Sequence, residues 1–221
     1  MSSPNLIRLR PRPKTLHVSQ GRSVLETDGD GLIPPDSAYG FFVHETRLLS
    51  RYQYLIDDIA PQPVAVSKVR EHSFLGYYAA PPPDREATGR DDGSGEMEEV
   101  SQQTIELRVS RYIGGGLHED LDVTNFTQQE SRFTFSILVA ADFIDRDELH
   151  VGRQQFGKLT SEWHQDPEGD WGLVVDYVAE HTYHHQEDHG TANLHRVGAL
   201  GLPKVRTRAC RWRANCWRIK S

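Results

Sequence analysis

The sequence predicts an all-β fold, a large antiparallel β-sandwich. Three observations carry that expectation: apolar residues recur with a period of two, no window holds a period of 3.6 over three turns, and turn-forming clusters separate the apolar runs. In TIELRV, Ile105, Leu107 and Val109 point one way and Thr104, Glu106 and Arg108 the other. In LHEDLDV, Leu117, Leu121 and Val123 alternate with His118, Asp120 and Asp122. In RFTFSILVAADF, Phe133, Phe135, Ile137 and Val139 form one face; Leu138 and Ala140 make the other partly apolar, so this strand reads as central. Leu173, Val175 and Tyr177 continue the pattern. The turn signals are TDGDG at 27–31, IPP at 33–35, IGGG at 113–116 and DPEGD at 166–170. Many strands joined by short turns point to a sandwich or a barrel, and no internal repeat is found.

The 221 residues suit one large domain, read as 1–203, followed by a basic tail at 204–221. One stretch breaks the alternation: residues 79–99, AAPPPDREATGRDDGSGEMEE, are rich in Pro, Gly and charge. Such a segment buries too little apolar surface to offset its ordering entropy, and it is expected to be a long mobile loop between two strands.

Charge is unevenly spread. Lys204–Ser221 holds seven of the 25 Lys/Arg residues and none of the 32 Asp/Glu, which leaves a body of 18 basic and 32 acidic residues. An acidic body argues against nucleic acid, whose phosphates require cationic neutralisation. Both cysteines, Cys210 and Cys216, lie in the tail, so the body is no disulfide scaffold. The N-terminus lacks the apolar core of a signal peptide, and no apolar run reaches membrane-spanning length. A cytoplasmic protein with no membrane partner is expected. The tail supports two readings: a genuine, disordered basic arm, or an out-of-frame continuation of a GC-rich gene.

Several constellations invite chemistry. Asp28 and Asp30 have calcium-loop spacing, but position 12 counted from Asp28 is Tyr39 rather than the required Glu, so a hairpin turn is the reading. The glycines at 114–116 precede a strand instead of the helix that a phosphate loop needs. His181, His184, His185, His189 and His195 could ligate a metal, yet neither HExxH nor paired Cys spacing accompanies them; an exposed polar strand and turn is expected. DFIDRDE gathers Asp142, Asp145, Asp147 and Glu148, read first as a polar strand-end turn and second as a carboxylate pair for acid–base chemistry. GFFVHETRLLSRYQYLIDD sets His44, Glu45, Thr46 and Arg47 where a strand begins. Glu45 and Arg47 would share a strand face and form a structural pair, with Arg47 also clamping backbone carbonyls. No GxSxG, no Cys–His pair in the body and no phosphate loop occur, and no metal or cofactor is expected.

The opening of that stretch, with Thr46, Arg47, Leu49, Ser50 and Arg51, and the segment Arg111–Arg153, with Asn125, Asp142, Phe143 and Asp145, resemble the N-terminal domain of bacterial glycogen-debranching-enzyme-like (amylo-α-1,6-glucosidase-like) proteins. The family pattern has Asp before Thr-Arg, where this chain has Glu45. The resemblance covers roughly residues 14 to 180. It implies a β-rich domain in front of an (α/α)-barrel that carries the acid and the base, either in one chain or from an adjacent gene. The residues after 180 show no helical pattern. The chain is therefore expected to be a detached or truncated non-catalytic half, with no catalytic residues of its own, that shapes or buttresses a glucan site. His44, Glu45, Thr46, Arg47, Asp142 and Asp145 would contact a glucan or the helical domain. A stand-alone carbohydrate-binding module is the alternative, with Trp163, Trp171, Tyr77 and Tyr78 as its aromatic platform; a small hydrolase using Asp142 and Asp145 is a third reading.

Overall fold

The computed structural model describes residues 13–80, 105–126, 130–153, 156–185 and 188–202. These residues form thirteen strands and one short helix. In chain order they are β1 (Thr15–Gln20), β2 (Ser23–Asp28), β3 (Gly40–Val43), β4 (Thr46–Leu49), β5 (Arg51–Ile56), β6 (Gln62–Arg70), β7 (Ser73–Ala80), β8 (Ile105–Ile113), β9 (Leu117–Asn125), β10 (Phe135–Ala140), α1 (Arg146–Val151), β11 (Lys158–Gln165), β12 (Trp171–His185) and β13 (Asp188–Leu202). All ladders are antiparallel, in four sheets ordered β1-β2-β3-β4, β5-β10, β6-β7-β8-β9 and β11-β12-β13. The expected all-β sandwich is what the chain forms.

The period of two places the core. β8 buries Ile105, Leu107, Val109, Arg111 and Ile113 and turns its other residues outward. β7 buries Phe74, Gly76, Tyr78 and Ala80 by the same alternation. The β1–β4 sheet lies over this sheet, so that Leu16, Val18, Leu25 and Phe41 share one core with Phe74, Tyr78, Leu107, Val109 and Ile113. The β5–β10 pair extends that upper layer: Ile33, in the loop after β2, exchanges backbone hydrogen bonds of 3.0 and 2.9 Å with Tyr52. The third sheet packs its Leu173, Trp163, Val175 and Leu200 against the same core.

Several local readings need adjustment. Ala79 and Ala80 belong to β7, so the expected loop begins after them, and residues 81–104 lie outside the described residues. β10 is not a central strand; among the described residues it pairs with β5 alone, which explains its partly covered outer side chains. TDGDG is a turn but not a tight hairpin, because β2 ends at Asp28 and its partner β3 begins only at Gly40. The Asp28 carboxylate accepts the amides of Asp30 (3.0 Å) and Leu32 (2.8 Å), a side-chain mimic of a backbone turn. IGGG is the three-residue loop of the β8–β9 hairpin, closed by Ile113 paired with Leu117. DFIDRDE leads into α1 instead of a plain turn; Glu148 reaches back to the amide of Asp145 at 3.4 Å, the reciprocal half of a capping box. At six residues α1 is too short to show the periodicity of a helix in the sequence. The tail at 204–221 lies outside the described residues. Among the described residues no helix is long and apolar enough to cross a membrane.

Candidate functional site

His44 and Glu45 are the two central residues of the β3–β4 hairpin, between paired Val43 and Thr46. Both have positive φ, 48° and 67°, the combination that a type I′ turn demands. The corner expected where a strand begins is thus a hairpin tip. Both side chains are exposed. Thr46 and Arg47 follow on β4, each 7% exposed.

The free edge of β4 meets the 142–146 segment, nearly one hundred residues downstream. The Arg47 amide donates to the Ile144 carbonyl (2.9 Å), that of Phe143 to Arg47 (3.1 Å) and that of Arg146 to Glu45 (2.9 Å). Side chains reinforce this junction. Arg47 grips Asp142 with both arms of its fork, Nε to Oδ1 at 3.1 Å and Nη2 to Oδ2 at 2.5 Å. Its Nη1 donates to the carbonyls of Ser37 (2.7 Å) and Tyr39 (3.1 Å). The guanidinium stem lies so close to the backbone at Gly40 that a Cβ there would sit 2.5 Å from Arg47 Cδ. Thr46 donates to Asp145 Oδ1 (2.9 Å), and Arg196 of β13 binds the same carboxylate, Nη1 to Oδ1 at 2.9 Å and Nη2 to Oδ2 at 3.0 Å.

The expected pairing of Glu45 with Arg47 is not formed. The hairpin tip turns Glu45 outward, 3.4 Å from Arg146 Nε, while Arg47 points in and takes Asp142. Arg146 also binds Glu26 at 2.6 Å and lies over the Phe42 ring at 4.6 Å. The expected clamping of carbonyls by Arg47 is present. Four of the six residues singled out, Thr46, Arg47, Asp142 and Asp145, form one bracket; His44 and Glu45 stand on its outer rim.

Phe143 shows what the bracket holds. It is buried at 1% exposure with φ of 54°, a left-handed conformation that costs an aromatic residue on the order of 1 kcal/mol or more. Its ring stacks on Tyr177 of β12 at 5.7 Å and 12°. Ala179, Leu48 and Leu194 complete this cluster, and Arg196 donates to the Phe143 carbonyl at 2.8 Å. The segment therefore pins the third sheet to β4.

A second polar hub lies inside the sandwich. Arg111, 2% exposed, donates to Glu119 on the neighbouring strand, to the Gly31 carbonyl and to the Tyr54 hydroxyl. Tyr52 and Tyr54 each donate to a Glu119 oxygen at 2.6 Å, and Tyr78 donates to the Asp30 carbonyl at 2.6 Å. Gly31 has φ of 77°, and a Cβ on it would lie 2.4 Å from the Phe74 ring. The Arg111 guanidinium sits between the rings of Tyr52 (5.1 Å) and Phe74 (5.2 Å). Burial, and then the charge of Glu119, lift the Tyr52 hydroxyl well above its ordinary pKa; burial does the same for Tyr54 and pushes Tyr78 to about 12. The signal for this hub was present in the sequence as parity, because Arg111 falls in phase with Ile105, Leu107 and Val109, and Glu119 with Leu117, Leu121 and Val123.

The remaining candidates separate. The β12–β13 hairpin carries the histidine segment; among the described residues no three metal-ligating side chains converge, and His195 instead binds Asp176 at 2.9 Å. The side chains of His181, His184 and His185 lie outside the described set. Tyr78 is fully buried and cannot serve as a platform, and Tyr77 is half-buried on the opposite face of β7. Trp163 packs on the core, while Trp171 is 47% exposed at a steep 78° to it.

No curated protein and no solved structure matches this chain. The model of one family does, across residues 18–195, which takes in the bracket and the buried hub. With most of its length covered by that match, the chain belongs to the family described as the N-terminal domain of (some) glycogen debranching enzymes.

Proposed function

We propose that this chain is a non-catalytic N-terminal domain of a glycogen-debranching-type (amylo-α-1,6-glucosidase-like) α-glucosidase, buttressing or shaping the glucan site of a helical catalytic domain that lies outside this sequence. One observation carries the reading. Glycosidic hydrolysis requires two carboxyl groups facing a scissile bond from opposite sides. The Asp142 and Asp145 carboxylates instead have all four oxygens engaged by Arg47, Thr46 and Arg196 of their own domain. These residues brace sheets, which is the work of a scaffold that must present a firm surface to a partner.

The test is glucose release from glycogen limit dextrin. The chain alone is expected to release none. Added to a separately expressed helical catalytic domain of an amylo-α-1,6-glucosidase-like protein, it is expected to bind that domain and raise its activity several-fold. Glucose release by the chain alone that vanishes in Asp142→Asn would overturn the reading, as would failure both to bind and to stimulate the helical domain.

A further inference from the structure

The β12–β13 hairpin carries ligand chemistry that neither the bracket nor the core uses. β11 pairs with β12 only as far as Val178, which lies opposite Lys158. Ala179 and Leu194 pack beside Phe143. Beyond them β12 and β13 continue through six more paired positions, from Glu180 opposite Asn193 to His185 opposite Asp188. Among the described residues this stretch has no third strand. It is a two-stranded ribbon about 20 Å long, rooted beside the bracket. A ribbon of two strands alone is marginally stable in water. Directly opposed residues share a face, so the register sorts the ribbon's residues between its two sides. His184 lies directly opposite His189. His185 and Asp188, the pair nearest the tip, fall on the other face, as does His181.

We propose that His184 and His189 together bind a divalent transition-metal ion of the zinc class, which clips the ribbon near its tip. Neutral imidazole is a preferred ligand of such ions. Directly opposed residues in an antiparallel pair hold their Cβ atoms about 4.5–5.5 Å apart. Two imidazole nitrogens bound to one tetrahedral ion at about 2.0–2.1 Å stand about 3.3 Å from each other. The register thus sets the pair at a separation that one ion bridges. Two protein ligands leave two tetrahedral positions for water, so the site is open and exchangeable, unlike a closed structural centre. A motif such as HExxH places its histidines one helical turn apart; a hairpin brings together residues five positions apart that only the strand register reveals. The other histidines of the segment stay outside the site. His181 and His185 belong to the opposite face. His195 lies three rows further in, opposite Val178, and binds Asp176 at 2.9 Å. A ligand that requires both strands in register favours the paired ribbon, so binding free energy becomes ordering free energy there. The inference needs nothing from the family reading.

The test is calorimetric titration of the whole, untagged chain with zinc chloride, in a background carrying Cys210→Ser and Cys216→Ser so that no thiolate competes. The background chain is expected to bind one ion at this pair. His184→Ala and His189→Ala are each expected to weaken binding about tenfold or more, while His181→Ala, His185→Ala and His195→Ala retain it. A further variant exchanges two neighbours, His189→Gly with Gly190→His. Its composition is unchanged, but the imidazole moves to the opposite face, and binding is expected to fall as it does in His189→Ala. Zinc is also expected to slow amide hydrogen exchange between residues 180 and 193 and to leave β7 and β8 as they were. Circular dichroism melts accompany each variant; where the exchange of neighbours disturbs the fold, His184→Gln and His189→Gln decide in its place. The proposal is overturned by absence of zinc binding in the background chain, by binding in the exchanged variant as tight as in that chain, by binding carried by His185 or His195 instead, or by zinc that leaves exchange in the ribbon unaltered.

Discussion

Arg47→Lys tests whether the bracket depends on the shape of the guanidinium or only on its charge. The arginine serves four acceptors through three nitrogens: both Asp142 oxygens and the carbonyls of Ser37 and Tyr39. A lysine has one nitrogen, which can reach the carboxylate or the carbonyl pair but not both. Stranded acceptors in a buried site cost about 1–3 kcal/mol. The Asp142 side chain is 25% exposed and can recruit water, so the penalty falls mainly on the two partly buried carbonyls. The expected loss is about 2 kcal/mol, which for a domain of this size lowers the melting temperature by about 4–8 °C. Urea unfolding followed by far-UV circular dichroism reads it, and a cycle with Asp142→Asn isolates the pair, whose coupling is expected at about 1 kcal/mol or more. A loss below about 0.5 kcal/mol, with additive single substitutions, would refute the reasoning and reduce the bracket to an ordinary surface ion pair.

Two further outcomes are expected. Glu45→Gly relieves a left-handed residue at the second position of a type I′ turn and is expected to stabilise the chain by about 0.5–1 kcal/mol despite the lost contact with Arg146; a lower unfolding midpoint in urea would contradict the turn assignment. Tyr52, Tyr54 and Tyr78, three of the eight tyrosines, are held above their ordinary pKa in the folded state; stability from such groups is complete below pH 10 and lost as pH rises through their folded values, about 12 for Tyr78. Ultraviolet titration is therefore expected to show these three ionising only with unfolding in alkali, and smooth ionisation of all eight near pH 10 in the folded chain would contradict the buried hub.

The strands were legible because half-buried sheets write their burial as alternation. Ile105, Leu107 and Val109 face the core as their spacing foretold. The buried hub was legible only to a reader who kept counting: the same parity carries an arginine and a glutamate inward on adjacent strands, where a charged residue is easily taken for an outward one. The bracket was half visible. Its residues could be gathered from the family pattern, but the partner of Arg47 could not, since nothing local distinguishes Asp142 from Glu45 as a carboxylate within reach. The turn at His44 and Glu45 decides it by aiming one side chain out and the next-but-one in. Helix α1 was hidden by its brevity, and the attachment of the β5–β10 pair to the upper layer runs through the isolated bridge between Ile33 and Tyr52, which leaves no periodic trace.

The bracket has a consequence in time as well as in space. Hairpins such as β8–β9 and β12–β13 join residues close in the chain and can form early, whereas Arg47 meets Asp142 across 95 positions. Closing so long a loop is entropically dear and is rewarded only after both faces it joins exist. Such a contact belongs on the native side of the folding barrier. It then behaves as a latch that hardly hurries the chain into its fold but governs how long the chain remains there, so loosening it would shorten the lifetime of the folded state while leaving the rate of folding nearly unchanged.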